Sequence, residues 1–135
     1  MFLLDTNVVS ELRRTKPHGA VLAWIRNVED ADLNVSAVTL GELQAGVELT
    51  REQDEAKARE LQDWVDLMAA SYKVLPMDGD AFRMWAKLIH RKSDALNEDA
   101  MIAAIARIHR LTVVTRNVGD FSSFGVSVLN PFKHS

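Results

Sequence analysis

The first apolar run of the chain is short and ends in a carboxylate: residues 1–12 read MFLLDTNVVSEL. Phe2–Leu4 has the length and composition of a buried strand, and Asp5 follows it directly. Val8, Val9 and Leu12 then recur at helical spacing. This stretch therefore predicts a strand, a carboxylate at its end, and a helix that begins at once.

The same alternation of strand and helix continues along the chain. Further strands are predicted at Leu33–Ser36, Tyr72–Leu75, Leu111–Val114 and, as a short fifth, Val126–Leu129. Helices are predicted to begin at Pro17, at Thr39 and at Glu98. Two more helices are predicted over Arg51–Ala70 and Asp78–Arg91, and the residues Lys92–Asn97 are predicted to form a loop. Within these helices, Glu55 is expected to pair with Arg59, and Phe82 is expected to face inward. Alternating strands and helices predict an α/β fold with a parallel sheet and right-handed crossovers.

Composition limits the class of protein. The chain has 135 residues, 47% of them apolar and 26% charged, which favours one domain over residues 1–135. The absence of cysteine excludes disulfides and thiolate metal sites and favours a reducing cytoplasm. Asp5 interrupts the first apolar run, so neither a signal peptide nor a membrane span is expected. A net charge of −3 argues against binding nucleic acid through bulk positive charge.

Four carboxylates are candidates for chemistry, and each has an ordinary explanation when taken alone. Asp5 could cap the following helix, and Asp99 could complement the dipole at a helix start. Glu42 lies three residues after Thr39, which is the spacing of a capping box. Asp120 could close an Asx-type turn over residues 117–120.

The joint placement of these carboxylates favours a metal site. Each follows a strand or loop that leads to one end of a parallel sheet, where ligands bind in α/β proteins. Clustered carboxylates raise one another's pKa values unless cations lie between them. Oxygen ligands suit Mg²⁺ or Mn²⁺, and such ions can activate water and orient a phosphodiester.

Other enzyme classes lack their required residues. The histidines, His18, His90, His109 and His134, show no ligand spacing, and there is no G-x-S-x-G, P-loop or G-x-G-x-x-G motif. An aspartyl-phosphate enzyme of the haloacid dehalogenase type needs a second Asp where Asn7 stands. A receiver-type module needs an acidic pair at the first strand and a phospho-acceptor after the third, where Pro76 stands.

Four blocks of the sequence, in order, resemble the PIN domain. They are LLDTNVVSEL (3–12), SAVTLGELQAGV (36–47), EDAMIAAIA (98–106) and VVTRNVGDF (113–121). The branch is similar to bacterial toxins of the VapC and FitB type, and the NPF segment (130–132) resembles the FitB-type ending. The resemblance implies a three-layer α/β/α sandwich with strand order 3-2-1-4-5. It also implies a Mg²⁺- or Mn²⁺-dependent endoribonuclease, the toxin of a type II toxin–antitoxin pair.

Site residues carry over from the resemblance position by position. Asp5, Glu42 and Asp99 fall on the acidic metal ligands of the family, Thr6 and Asn7 on positions that steady the first Asp, and Thr115 on a pocket hydroxyl. The fourth acidic position is divided between Asn117, which is neutral here, and Asp120. One metal ion is therefore expected, and a second is left open.

The resemblance also implies partners. We expect a cognate antitoxin, an RNA substrate, a homodimer, and operator DNA reached only through the antitoxin, with no membrane. A non-catalytic subunit of an antitoxin–DNA complex is the alternative. Arg116, Arg13 and Arg14 are the leading candidates for contacting RNA, with Lys16, Arg91 and Lys92 behind them, although solvated surface is the ordinary role of most such residues.

Overall fold

A five-stranded parallel sheet forms the centre of the structure, a computed structural model that describes residues 1–133. The strands are β1 (Phe2–Leu4), β2 (Leu33–Ser36), β3 (Lys73–Leu75), β4 (Thr112–Val114) and β5 (Val128–Leu129). Their order is β3-β2-β1-β4-β5, and every neighbouring pair is parallel. The predicted strand order is confirmed, and the order of strands reverses between β1 and β4.

Helices connect the strands. They are α1 (Thr6–Leu12), α2 (Gly19–Arg26), α3 (Ala37–Arg51), α4 (Glu55–Ser71), α5 (Gly79–Ile89), α6 (Asn97–His109) and α7 (Val118–Ser122). Two single 3₁₀ turns, Asp30–Asp32 and Asp94–Leu96, precede β2 and α6. No helix among residues 1–133 combines the length and apolarity needed to cross a lipid bilayer.

The sheet is covered on both faces, because successive strand residues point to opposite sides. Leu3 and Val113 pack in a cluster with residues of α5 and α6, whereas Leu4 and Val114 pack with residues of α1, α2 and α4. Most of the buried residues of α6 are alanines, and they belong to the same cluster as Leu3 and Val113. The three-layer α/β/α arrangement predicted from the resemblance is confirmed.

Several helix starts differ from the sequence prediction because other side chains cap them. The helix predicted to begin at Pro17 begins at Gly19, where His18 Nδ1 accepts a hydrogen bond from the Ala20 N–H at 3.2 Å. The helix predicted to begin at Thr39 begins at Ala37, because Ser36 Oγ accepts from the Thr39 N–H at 3.0 Å. The capping box between Thr39 and Glu42 was therefore wrong.

The long helix predicted over Arg51–Ala70 is present as α4, but its predicted start was wrong by four residues. α3 ends at Arg51, and α4 begins at Glu55 with Asp54 Oδ1 accepting from the Lys57 N–H at 3.0 Å. Arg51 Nη1 pairs with Glu55 Oε1 at 2.9 Å across this break, so Glu55 pairs with Arg51 instead of Arg59. Phe82, predicted to face inward, is 46% exposed on α5. His134 lies outside the described residues.

Candidate active site

Asp5 lies at the carboxyl end of β1, where the order of strands reverses. Its N–H donates to the carbonyl of Val114, the last residue of β4, at 2.9 Å, so the side chain lies between these two strands. Asp5 Oδ1 accepts a hydrogen bond from the Thr6 N–H at 2.8 Å. The carboxylate therefore caps α1, as the ordinary explanation predicted, and also lies in the crevice where a ligand would bind.

The second oxygen of Asp5 is held by side chains of the predicted supporting residues. Thr115 Oγ1 donates to Asp5 Oδ2 at 2.8 Å, and Asn7 Nδ2 donates to the same oxygen at 3.2 Å. Burial raises the pKa of Asp5, whereas the hydrogen bonds from Thr115 and Thr6 lower it. Since Asp5 is only 4% exposed, these donors fix the direction in which its carboxylate points.

Glu42 lies one turn into α3 and is tied to α1. Thr6 Oγ1 donates to Glu42 Oε1 at 2.9 Å. The same hydroxyl lies 3.0 Å from Thr39 Oγ1, and Ser36 Oγ donates to Thr39 Oγ1 at 3.2 Å. Because Thr6 has one proton and gives it to Glu42, Thr39 must donate to Thr6. A hydroxyl chain therefore runs from Ser36 through Thr39 and Thr6 to the carboxylate.

Ser36 and Thr39 were not predicted as parts of the site, although both are fully buried. A signal was present in the sequence, since Ser36, Thr39 and Glu42 recur at intervals of three and Ser36 directly ends a buried strand. The interval places the three residues along one face of a helix start. The contact with Thr6, however, depends on how α1 and α3 pack.

Asp99 lies in the first turn of α6, and its carboxyl group has the most strongly shifted pKa of the cluster. Its pKa is raised to about 6, first by burial and then by the negative charges of Asp5, Asp120, Glu42 and Glu98. This repulsion shows that the carboxylates predicted to meet do lie close enough to influence one another. Glu98, which sequence reasoning did not select, adds to the same negative field.

Glu42 responds to the same field. Its pKa is raised by burial, lowered by the Thr6 hydrogen bond, and raised by the charges of Asp5 and Glu98. Glu42 as a whole residue is exposed to solvent, yet burial is the largest of these contributions to its raised pKa. The repulsion from Asp5 is the contribution that links α3 to the cluster.

Asp120 and Asn117 lie at the start of α7, beyond β4. The predicted Asx turn over residues 117–120 was wrong: these residues form the N-terminal boundary and first turn of a short helix, in which the Asn117 side chain makes no capping hydrogen bond. The Asn117 N–H donates to Thr115 Oγ1 at 2.9 Å. Asp120 is exposed, and its charge raises the pKa of Asp99, so it belongs to the cluster.

Comparison with known proteins agrees with this geometry. Residues 2–125 match the family described as the PIN domain. The chain belongs to the PIN domain family. It is 36% identical over 140 residues to the toxin FitB of Neisseria gonorrhoeae, covering 98% of this chain and 99% of that protein. It is also 36% identical over 141 residues to the VapC ribonuclease Y4jK of Sinorhizobium fredii, with 98% and 99% covered.

Solved structures resemble this PIN domain over nearly its whole length. The crystal structure of FitAcB from Neisseria gonorrhoeae superposes with a TM-score of 0.86 at 35% identity, covering 98% of this chain and 99% of that one. The structure of FitAB bound to the IR36 DNA fragment gives a TM-score of 0.85 at 33% identity, covering 100% and 98%. The predicted family resemblance is confirmed.

The donors of this PIN domain fit a hard divalent cation by their chemistry. Asp5, Glu42, Asp99 and Asp120 offer only oxygen, which Mg²⁺ and Mn²⁺ prefer. None of the four forms an ion pair with Lys, Arg or His within residues 1–133. Over the same residues, no three His, Asp or Glu side chains form a ready-made metal-binding group. The carboxylates are thus clustered but more widely spread than the ligands of one ion.

The three arginines predicted to contact RNA lie in different places. The Arg116 N–H donates to Asn7 Oδ1 at 3.3 Å, which places Arg116 beside the pocket. Arg13 is the C-cap of α1, and Arg14 pairs with Glu11 at 3.6 Å. α1 starts at the pocket and rises about 1.5 Å per residue, so Arg13 and Arg14 lie on the order of 10 Å away along the helix. Of the three, Arg116 lies beside the pocket, whereas Arg13 and Arg14 follow the last residue of α1.

Proposed function

We propose that this chain is a divalent-metal-dependent endoribonuclease, the toxin of a type II toxin–antitoxin pair, with residues 1–135 acting as one nuclease domain. The observation that carries the proposal is the cluster of Asp5, Glu42, Asp99 and Asp120 at the point where strand order reverses. Burial, together with repulsion from the other carboxylates of the cluster, raises the pKa of Asp99 to about 6. Such a concentration of unpaired carboxylates is costly unless a cation binds there. The names of its relatives, a toxin and a ribonuclease, support the same function.

In this proposal Asp5 and Asp99 bind Mg²⁺ or Mn²⁺ directly or through water, and one ion is expected. The ion supplies a water of lowered pKa and positive charge beside the scissile phosphate. Thr115, Asn7 and Thr6 hold the Asp5 carboxylate in place.

Glu42 either ligates the ion or orients the attacking water. Its Oε1 is engaged by Thr6, so Oε2 is the oxygen that would contact the ion or receive a proton from water. The buried hydroxyl of Thr39 is hydrogen-bonded to Thr6, and the buried hydroxyl of Ser36 is hydrogen-bonded to Thr39. Asp120, with Asn117, completes the site or holds a second ion.

The test is cleavage of total RNA by purified protein with Mg²⁺, with and without chelator, followed by mapping of the ends. We expect the chelator to abolish cleavage. Asp5→Asn should reduce the rate by more than about 100-fold, beyond the 10–100-fold typical of losing only a hydrogen-bond partner of a ligand. Asp63→Asn, which changes an exposed acid on α4, is the matched control and should cleave normally. Full activity of Asp5→Asn would refute the proposal.

The partners follow from the same proposal. A cognate antitoxin is supported by the relatives FitAcB and FitAB, the latter bound to DNA. Because this chain has a net charge of −3, the contact with operator DNA is assigned to the antitoxin. A homodimer, a cytoplasmic location and the absence of membrane contact stay predictions.

The relative bound to DNA favours a second candidate function, in which this chain is a non-catalytic subunit of an antitoxin–DNA complex. A gel shift of the isolated chain separates the two functions. Tight binding of duplex DNA without RNA cleavage would favour the alternative.

A further inference from the structure

Three side chains from distant parts of the sequence stack beside the acidic pocket. The Arg116 guanidinium carbon lies 3.7 Å from the centre of the Phe132 ring. On Phe132 the His18 ring packs edge-on, with ring centres 5.4 Å apart. At this distance the guanidinium and the ring are in van der Waals contact, which is where cation–π attraction is effective.

The Phe132 ring is held in a fixed place relative to β4. The Phe132 N–H donates to Asn130 Oδ1 at 3.0 Å, which closes a tight turn around the buried Pro131. This turn follows β5, and the Leu129 carbonyl accepts from the Thr115 N–H at 2.9 Å. Phe132 is therefore anchored to the residue that directly precedes Arg116.

Arg116 lies close to the carboxylate cluster but forms no ion pair with it among the described residues. Its N–H bonds to Asn7 Oδ1, and Asn7 Nδ2 bonds to Asp5 Oδ2, so its backbone is two hydrogen bonds from the central carboxylate. A mobile guanidinium near several carboxylates would be drawn into an ion pair with one of them. Among residues 1–133, Arg116 forms no such pair. The stack on Phe132 accounts for this, because it holds the guanidinium at the rim.

We propose that Phe132 is a positioning residue that holds Arg116 at the rim of the pocket to bind a backbone phosphate of the RNA substrate. The ring covers one face of the planar guanidinium, and the N–H donors at its edge stay available. Those donors match the oxygens of a phosphate in a bidentate arrangement. The C-terminal turn at residues 130–132 is thereby part of the substrate site. This inference rests on the proposed ribonuclease function.

The kinetic test uses an RNA oligonucleotide containing the cleavage site mapped from total RNA, with Mg²⁺ present. Arg116→Ala should raise KM about tenfold, because a charge-assisted bidentate contact to phosphate is lost. Phe132→Leu keeps the apolar bulk but removes the ring, and should raise KM about two- to fivefold, the range of an exposed cation–π contact. Phe132→Trp restores a ring face and should restore KM. Arg26→Ala, an exposed arginine at the end of α2, is the charge-matched control.

The decisive comparison is the double variant Phe132→Leu with Arg116→Ala. If Phe132 acts through Arg116, its substitution should change KM no further once Arg116 is gone. Independent effects of the two substitutions would overturn the inference, as would wild-type KM in Phe132→Leu. A purely structural role of Phe132 would lower the unfolding midpoint and leave the two effects additive.

A second readout does not need activity. The Phe132 ring current should shift the Arg116 Nε–H proton resonance, and Phe132→Leu should return it toward the value of an exposed arginine. An unchanged resonance would overturn the stack itself. The proposed ribonuclease function fails separately if the wild-type protein does not cleave RNA, or cleaves it in the presence of chelator. That result would refute the contact between Arg116 and RNA, and the resonance measurement would still test the contact between Arg116 and Phe132.

Discussion

Asp5 caps α1 and also forms the centre of the carboxylate cluster, and substitutions at this residue can separate the two roles. Asn retains an oxygen for the Thr6 N–H and is as good an N-cap as Asp, but its NH2 group cannot accept from Thr115 and Asn7, so Asp5→Asn should lower the free energy of unfolding by about 1–2 kcal/mol. Asp5→Ala loses the cap and leaves the buried Thr115 hydroxyl without its acceptor, which should cost about 2–4 kcal/mol. Chemical denaturation of the metal-free proteins measures both values. Equal destabilisation by the two variants would mean that the charge of Asp5 holds the site together.

Thr39 offers a second test at the residue scale, because its hydroxyl connects Ser36 to Thr6 and Glu42. Thr39→Val preserves shape and should cost about 1 kcal/mol of stability through the lost hydrogen bonds. If the hydroxyl chain orients Glu42, cleavage should fall up to about tenfold, the lower end of the range for losing a ligand's supporting partner. Thr39→Ser should recover the rate. A variant with the same loss of stability and an unchanged kcat would show that Thr39 serves folding alone.

At the scale of elements, the position of Asp99 at the N-terminus of α6 affects its pKa in two opposite directions. The helix dipole favours its charged form, but burial and the neighbouring carboxylates raise its pKa from 3.8 to about 6. Between these values the folded state binds more protons than the unfolded state, so stability falls as the pH rises through about 4 to 6 and levels off above. Metal-free protein should therefore unfold at a higher temperature at pH 5 than at pH 7.5. Asp99→Asn should reduce this difference, and an undiminished difference would assign it to other groups.

The helices also show how far the sequence could predict this fold. The strands were found within two residues at each end, because short apolar runs bounded by polar residues have few alternatives. The start of α4 was placed four residues early, at Arg51 instead of Glu55, because no Gly or Pro marks residues 51–54 and Asp54 was not recognised as the cap. Phe82 was misplaced since the apolar stripe of α5 is wider than the part of it that other elements cover.

The candidate site also contains residues that the sequence could predict and contacts that it could not. Asp5, Glu42, Asp99 and Asp120 were predicted because they follow strands or start helices, which are positions that topology alone brings to one edge of a sheet. The hydroxyl chain through Ser36 and Thr39 and the stack on Phe132 were missed, because each depends on how separate segments pack. Spacing along the sequence does not specify such contacts.

At the scale of the whole molecule, a modest net charge of −3 conceals an uneven distribution. Four carboxylates meet at one edge of the sheet, while Arg116 is kept beside them without neutralising any of them. Folding must therefore overcome local repulsion that the average charge does not reveal. A ligand that relieves this repulsion should stabilise the entire domain, since it binds the folded state and has no comparable site in the unfolded chain.

Mg²⁺ or Mn²⁺ should accordingly raise the unfolding temperature at pH 7.5, and chelator should reverse the effect. At a free concentration about 100 times Kd, linkage predicts about 2.7 kcal/mol of added stability. The gain should shrink at pH 5, where protons occupy Asp99 and compete with the ion, and it should be lost in Asp99→Asn. Because monovalent salt also screens repulsion, the comparison is made at matched ionic strength with NaCl. If NaCl stabilised the protein as much as Mg²⁺ does, the cluster would be responding to screening, and a specific metal site would be excluded under those conditions.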